Sequence, residues 1–375
     1  MRVLILHASL GSGHVSAAAA VEAELVARGV EVRSEDALQY TNAAMRTFVK
    51  TIITQFSQES PDLYRLLYEG TDSPDPEETM EQNASAGRIQ AHMYNDLLAL
   101  IEEYQPDRII CAQQIPALVV HALSASGRID IPWYIIVTDY MAHSSWILTD
   151  VDGYFVPWSG VKRMLASWGI PSETITVSGI PVKAEATIPK DPREMRTKHG
   201  IAPDGPVVVA IASGIKTPRF VTAIGQLAAH LGHGSIIVVA GRNEDVNESL
   251  AELPTPAGVT IQTFGFIDFL DDLIAAADVV ISKSGGLITT EVITRGIPLV
   301  VFDPFPGQEE WNADFVTGSG AGFQIRIPAM VGPAVSVLLA DPEALKSART
   351  RSASLARPDA ARIVAETVIA GQNCD

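Results

Sequence analysis

The sequence predicts an α/β protein built from two doubly wound, Rossmann-like domains that face a central cleft. Short apolar runs recur between helical patterns, the runs fall into two series, and a stretch rich in Pro, Lys and Asp separates the series. The length of 375 residues exceeds what one hydrophobic core comfortably serves, and a 47% hydrophobic fraction is enough for two.

The first series of strands is expected at residues 3–6, 108–111, 134–137 and 154–156, and the second at 207–212, 236–240, 279–281 and 298–302. Strands that alternate with helices pair in parallel, with both sheet faces covered. The junction falls in 183–205, which gives an N-terminal acceptor-binding domain at 1–185 and a second, donor-binding domain at 186–357. A closing helix over 359–370, begun by Pro358, is expected to pack back on the first domain. The acidic segment 69–81 is interrupted by Gly, Pro, Ser and Thr and reads as a solvated loop.

Composition narrows the function. The net charge is −17, and residues 1–185 hold 12 Lys and Arg against 23 Asp and Glu. Nucleic acid is therefore not an expected partner, and an anionic membrane surface would be repelled on average. The two cysteines, Cys111 and Cys374, provide no disulfide framework. No apolar stretch has the length of a membrane span, and residues 1–6 read as a strand rather than a signal peptide. A cytoplasmic protein is expected, with any membrane contact peripheral.

The chemically richest segment runs from Lys283 to Asn312. Ser284, Gly285 and Gly286 form a tight turn between a strand and a helix over 288–295. The helix N-terminus, with unpaired N–H donors and about half a positive charge, suits a diphosphate without a metal. Beyond the next strand, Gln308, Glu309 and Asn312 are placed to hydrogen-bond sugar hydroxyls, so the segment reads as a nucleotide-sugar site. Further donor-side candidates follow other strands of the second domain: Ser213 and Gly214, Arg242, and Phe264 with Phe266, whose main chain would read a uracil edge.

In the first domain, Ser9 to His14 joins the first strand to a small-residue helix over 15–27. The turn lacks the Walker spacing and its Lys. His14 at the helix N-terminus is disfavoured as imidazolium, which leaves a neutral ring able to accept a proton, or else a capping residue. Asp139, at the end of another strand, would orient His14, accept a proton, or simply cap a helix. His143 and Trp146 would shape the acceptor pocket. Asp150 and Asp152 match a bare Asp-x-Asp metal pattern but lie far in sequence from the diphosphate turn. Residues 47–68, with Phe48 and Phe56 among cations, form either a helix that touches lipid headgroups or an ordinary core-packing helix.

Together these residues resemble the monogalactosyldiacylglycerol synthase and processive diacylglycerol glucosyltransferase family, related to the peptidoglycan lipid II GlcNAc-transferase. The most specific matches are Ser284-Gly285-Gly286-Leu287, Pro306-Gly307-Gln308-Glu309 with Asn312, Gly11 to His14, Thr138-Asp139 with His143 and Trp146, Gly179 to Val182, and Gly241 to Asn243. Ser60 to Tyr64, with Tyr68, is similar to the family's membrane-side segment. The resemblance implies a GT-B fold and an inverting transfer of hexose from UDP-glucose or UDP-galactose to a lipid hydroxyl, giving a β-glycolipid. It implies a membrane-associated enzyme with no bound metal and no cofactor besides the UDP-sugar co-substrate. It further implies His14 as the catalytic histidine, Glu291 on the ribose hydroxyls, Gln308 and Glu309 on the hexose, and Gly13 and Thr289 at the donor. The chain departs from the family at Ala212 to Lys216, a loop poorer in glycine, and in the acidity of its first domain. The alternatives are a polyprenyl-linked or soluble hydrophobic acceptor, a UDP-sugar epimerase, and a non-enzymatic nucleotide-sugar sensor.

Overall fold

A computed structural model describes residues 1–51, 60–73 and 75–371. The chain divides into two compact units. Unit 1 comprises Met1–Lys183, Pro306–Gln308 and the chain from Arg357 onward, and unit 2 comprises Ala184–Phe305 and Glu309–Ala356.

Among the described residues, the sheet of unit 1 holds six parallel strands: β1 (Arg2–His7), β2 (Glu31–Asp36), β3 (Arg108–Cys111), β4 (Trp133–Ile136), β5 (Gly153–Val156) and β6 (Ile175–Val177), in the order β2-β1-β3-β4-β5-β6. Its helices are α1 (Ser12–Ala27), α2 (Ala43–Thr51), α3 (Pro61–Gly70), α4 (Pro76–Met93), α5 (Asn95–Tyr104), α6 (Gln114–Ala125) and α7 (Ser159–Ser167). Side chains of β1 alternate between two cores. Leu4 and Leu6 pack with Leu97 of α5 and Leu118 of α6, while Val3 and Ile5 pack with Val21 and Leu25 of α1. Strands buried on both faces read as continuous apolar runs, which is why β1 and its interior neighbours stand out in the sequence.

Unit 2 holds β7 (Val207–Ile211), β8 (Gly234–Val239), β9 (Val259–Phe264), β10 (Val279–Ser282), β11 (Leu299–Phe302) and β12 (Gly322–Ile325), all parallel, in the order β12-β11-β10-β7-β8-β9. Its helices are α8 (Pro192–Lys198), α9 (Thr217–Leu231), α10 (Glu244–Ala251), α11 (Leu270–Ala276), α12 (Gly286–Thr294), α13 (Gln308–Ser319), α14 (Val331–Ala340) and α15 (Pro342–Leu355). The order is that of a dinucleotide-binding sheet. Val208 and Ala210 of β7 pack with Phe220 and Leu227 of α9 and Val335 of α14. A buried arginine ties α8 to the sheet. Arg196 donates to the carbonyls of Ala276, Pro203 and Gly205 and to Asp278, which also accepts from the N–H of Val207 and from Arg349.

The last helix, α16 (Ala360–Ala370), belongs to unit 1, where Val364 and Val368 complete the core around Val3 and Ile5. The chain returns there past Gly179, whose φ is +91°, and a Cβ at that position would sit 2.4 Å from the Cβ of Arg357. Glycine meets both demands.

Several local expectations are corrected. The four edge strands, β2, β6, β9 and β12, are absent from the apolar runs. An edge strand is half exposed, so it is short or polar, as in the Glu-Val-Arg-Ser-Glu-Asp of β2. The acidic 69–81 segment is not a loop: α3 runs to Gly70 and α4 begins at Pro76. The Asp75 carboxylate caps α4 by accepting from the N–H groups of Glu77 and Glu78, and acids in a first turn complement the helix dipole. Helix α12 starts at Gly286 rather than 288, and Pro358 lies in the turn before α16. Residues 47–68 contain the end of α2 and most of α3, whereas Phe56 lies outside the described residues.

Candidate functional site

In an open α/β sheet the crevice for ligands lies at the carboxyl ends of the strands where the order reverses direction. Unit 1 reverses between β1 and β3. The loop after β1 delivers His14 into the first turn of α1, whose N-cap is Gly11 with no side-chain cap. The loop after β3 supplies the carbonyl of Ala112, 2.9 Å from His14 Nδ1, and the end of β4 supplies the Thr138 hydroxyl at 2.8 Å. A carbonyl oxygen only accepts, so Nδ1 carries the proton and Nε2 keeps the lone pair. Burial pushes the imidazolium pKa down to about 4, with the neighbouring His7 adding to the depression against the Ala112 hydrogen bond. The ring is therefore a neutral base at physiological pH. The dominant cause is dehydration rather than the helix end invoked from sequence. Gly13 lies beside His14 in the same turn.

Asp139 follows Thr138 and is half-buried. At Nδ1 His14 is held by Ala112 and Thr138. The charge of Asp139 also bears on the phenol of Tyr68, whose pKa is raised first by burial and then by that charge. His143 is a clasp rather than a pocket wall. Its Nδ1 accepts from the N–H of Ser145, which leaves Nε2–H to donate to the Tyr68 carbonyl at 2.9 Å. Trp146 is 0% exposed within the core, so it supports the 144–146 turn from behind and presents nothing to an acceptor. Phe48 on α2 is exposed, as are Leu63, Leu66 and Leu67 on α3.

Unit 2 reverses between β7 and β10. Two helices start at that point, α9 after the Ser213-Gly214 turn and α12 after Ser284-Gly285, and neither N-terminus has a side-chain cap. In α9 the first turn contains Pro218, which has no N–H, and the N–H groups of Arg219 and Phe220 bond to the Lys216 carbonyl, so of these two helix starts it is α12 whose first-turn N–H groups suit a diphosphate. Between them lies Lys283, only 8% exposed, with Nζ 3.1 Å from the centroid of the Phe305 ring and 3.5 Å from Glu309 Oε2. Gly214 has φ +69°, which favours glycine, and a Cβ there would stand 2.7 Å from that ammonium. The Ser284 hydroxyl donates to the Glu309 carbonyl at 2.5 Å, and the N–H of Phe305 donates to Glu309 Oε2 at 2.6 Å.

Gln308, Glu309 and Asn312 sit on the first turns of α13, not in a loop. Asn312 is fully buried, and Glu309 faces Lys283. On α12, Thr289 is buried with its hydroxyl unpartnered among the described residues, and Glu291, two residues further on, is half-buried. The Phe264 carbonyl accepts from the N–H of Ala240, which joins the ends of β8 and β9. The Phe264 ring packs edge-on against Phe269, and Phe266 is 72% exposed with the Arg242 guanidinium 5.2 Å from its ring. The Asp152 carboxylate accepts from the N–H of Trp133, while Asp150 is exposed.

Sequence reasoning gave no role to Lys283 or to the Ala112 carbonyl. A lysine directly before a glycine turn at a strand end was visible, but nothing in the sequence told that it is buried. The Ala112 carbonyl is a main-chain group from a strand about a hundred residues from His14, and it carries no side-chain signal.

Residues 14–182 match the model of the monogalactosyldiacylglycerol (MGDG) synthase family. Over its whole length the chain is 27% identical to a processive diacylglycerol beta-glucosyltransferase of Bacillus mycoides (strain KBAB4), covering 95% of that protein. Among solved structures it is similar to the MurG of Acinetobacter baumannii, with a TM-score of 0.65, 16% identity, and 98% and 99% of the two chains covered. It is also similar to the UDP-GlcNAc 2-epimerase of Neisseria meningitidis bound to UDP-GlcNAc, with a TM-score of 0.60, 15% identity, and 99% and 100% covered. At such identities these two likenesses speak for the fold, which is GT-B.

Proposed function

We propose that this chain, which carries a monogalactosyldiacylglycerol synthase domain over residues 14–182, is a UDP-sugar-dependent glycosyltransferase that moves a hexose to the free hydroxyl of diacylglycerol with inversion. Glucose is the favoured hexose, because the full-length relative is named a beta-glucosyltransferase. One structural observation carries the reading: the residues suited to each half of the reaction stand at the switch point of their own sheet. In unit 1 this is a neutral imidazole with only Nε2 open to a proton, and in unit 2 it is the uncapped N-terminus of α12 directly after the buried Lys283.

The acceptor oxygen attacks C1 of the hexose on the face opposite the diphosphate, and its proton passes to Nε2 of His14 as the C–O bond forms. The C1–phosphate bond breaks, and the departing UDP takes the electron pair and is held by the N–H donors of α12. Glu291 on the ribose, Gln308, Glu309 and Asn312 on the hexose, and Asp139 near the acceptor complete the assignment. The exposed Phe48, Leu63, Leu66 and Leu67 support peripheral contact with a bilayer, and no helix among the described residues is long and apolar enough to cross one.

Incubating the protein with UDP-glucose or UDP-galactose and diacylglycerol in phosphatidylcholine vesicles, and analysing products by mass spectrometry and NMR, tests this reading. A β-linked monohexosyl lipid with one UDP released per transfer is expected. Donor consumed equally well without lipid would point to an epimerase or hydrolase and overturn the assignment.

A further inference from the structure

Lys283 is a cation held where few water molecules reach it. Among the described residues its one ion-pair partner is Glu309, at 3.5 Å, longer than a direct hydrogen bond, and the face of Phe305 covers the ammonium at 3.1 Å. An ammonium has three donors, so this one is under-coordinated. Burial also depresses its pKa, partly offset by Glu309. A buried, weakly paired charge is costly, and beside the uncapped N-terminus of α12 an anion would relieve it.

The Glu309 carboxylate occupies that place. One oxygen accepts the N–H of Phe305, and the other lies 3.5 Å from where a Cβ of Gly285 would stand, at the mouth of the Ser284-Gly285-Gly286 turn. An anionic group of the protein thus sits where the donor's anionic group belongs. Resting on the reading of the chain as a UDP-sugar enzyme, we propose that Lys283 is the diphosphate's counter-charge and that Glu309 is its placeholder. On donor binding the diphosphate takes over the ammonium, and the released Glu309 turns to the hexose hydroxyls. Diphosphate binding and sugar recognition are then linked: Glu309 becomes available to the sugar only after the phosphates have displaced it.

Calorimetry with uridine, UDP and UDP-glucose on the full chain and two variants tests the exchange. Lys283→Met, which keeps the apolar stem, is expected to weaken UDP binding by about 10- to 100-fold, the size of a lost charged hydrogen bond, with uridine binding unchanged. Glu309→Gln removes the competitor and is expected to tighten UDP on the order of three- to tenfold, while abolishing any gain of UDP-glucose over UDP. Equal losses for uridine and UDP in Lys283→Met, or unchanged or weaker UDP binding in Glu309→Gln, overturn the exchange. The second variant carries the test alone if the first fails to fold, which thermal unfolding reveals. If the wild-type chain binds neither UDP nor uridine, the functional reading itself falls, and inorganic pyrophosphate in place of UDP still decides the role of Lys283.

Discussion

His14 shows how one hydrogen bond fixes a chemical role. The Ala112 carbonyl assigns the proton to Nδ1, and dehydration keeps the ring neutral, so in the proposed mechanism Nε2 is the atom that accepts the proton. A working pKa of about 4 predicts that kcat/KM stays flat from neutral pH down to about 5 and falls only near pH 4; a midpoint near 6.5 would mean the ring is hydrated in the working enzyme. The same shift acts on stability. Because the folded value lies below the unfolded value near 6.5, the unfolded chain binds the proton first as pH falls. Stability is therefore unaffected above pH 7 and is lost between about 6.5 and 4, by about 3 kcal/mol from this site. Urea titrations at pH 7 and 4.5 should show a smaller loss in His14→Gln than in wild type. Thr138→Val leaves the Ala112 bond but removes the second acceptor at 2.8 Å, and kcat should fall about tenfold with UDP affinity intact, as steady-state kinetics would show.

At the scale of elements, legibility follows burial. Every interior strand of both sheets is a continuous apolar run and was readable, whereas the four edges were not, because one side of each meets solvent or loop. The helix start at Pro76 was overlooked for a different reason: its acids look like a solvated loop until Asp75 is seen to cap them. Asp75→Ala should cost about 1 kcal/mol of stability, measured by chemical denaturation. The join of α8 to the second sheet depends on Arg196, whose guanidinium satisfies three carbonyls and Asp278. Arg196→Met should destabilise unit 2 by about 3 kcal/mol, visible as an earlier circular-dichroism transition in urea, because buried acceptors are left unpaired.

For the molecule as a whole, the net charge of −17 and the exposed apolar side chains of α2 and α3 pull in opposite directions at a bilayer. Hydrophobic contact then carries the attraction and charge opposes it. Replacing Leu66 and Leu67 together by Glu should weaken co-sedimentation with diacylglycerol-containing phosphatidylcholine vesicles about tenfold or more without changing UDP affinity. Added salt should strengthen binding to vesicles that contain anionic lipid, since it screens repulsion.

Sequence alone determined the alternation of strands and helices, the glycine turn at Ser284 to Gly286 between a strand and a helix, and the candidacy of His14, since apolar periodicity and glycine placement are written residue by residue. Only the tertiary structure decided which nitrogen of His14 is open, that Trp146 and His143 support a turn instead of lining a pocket, and that Lys283 is buried against Glu309. Those properties depend on main-chain carbonyls and side chains brought together from distant strands at a switch point, and such proximity is set by sheet order, which no local pattern encodes.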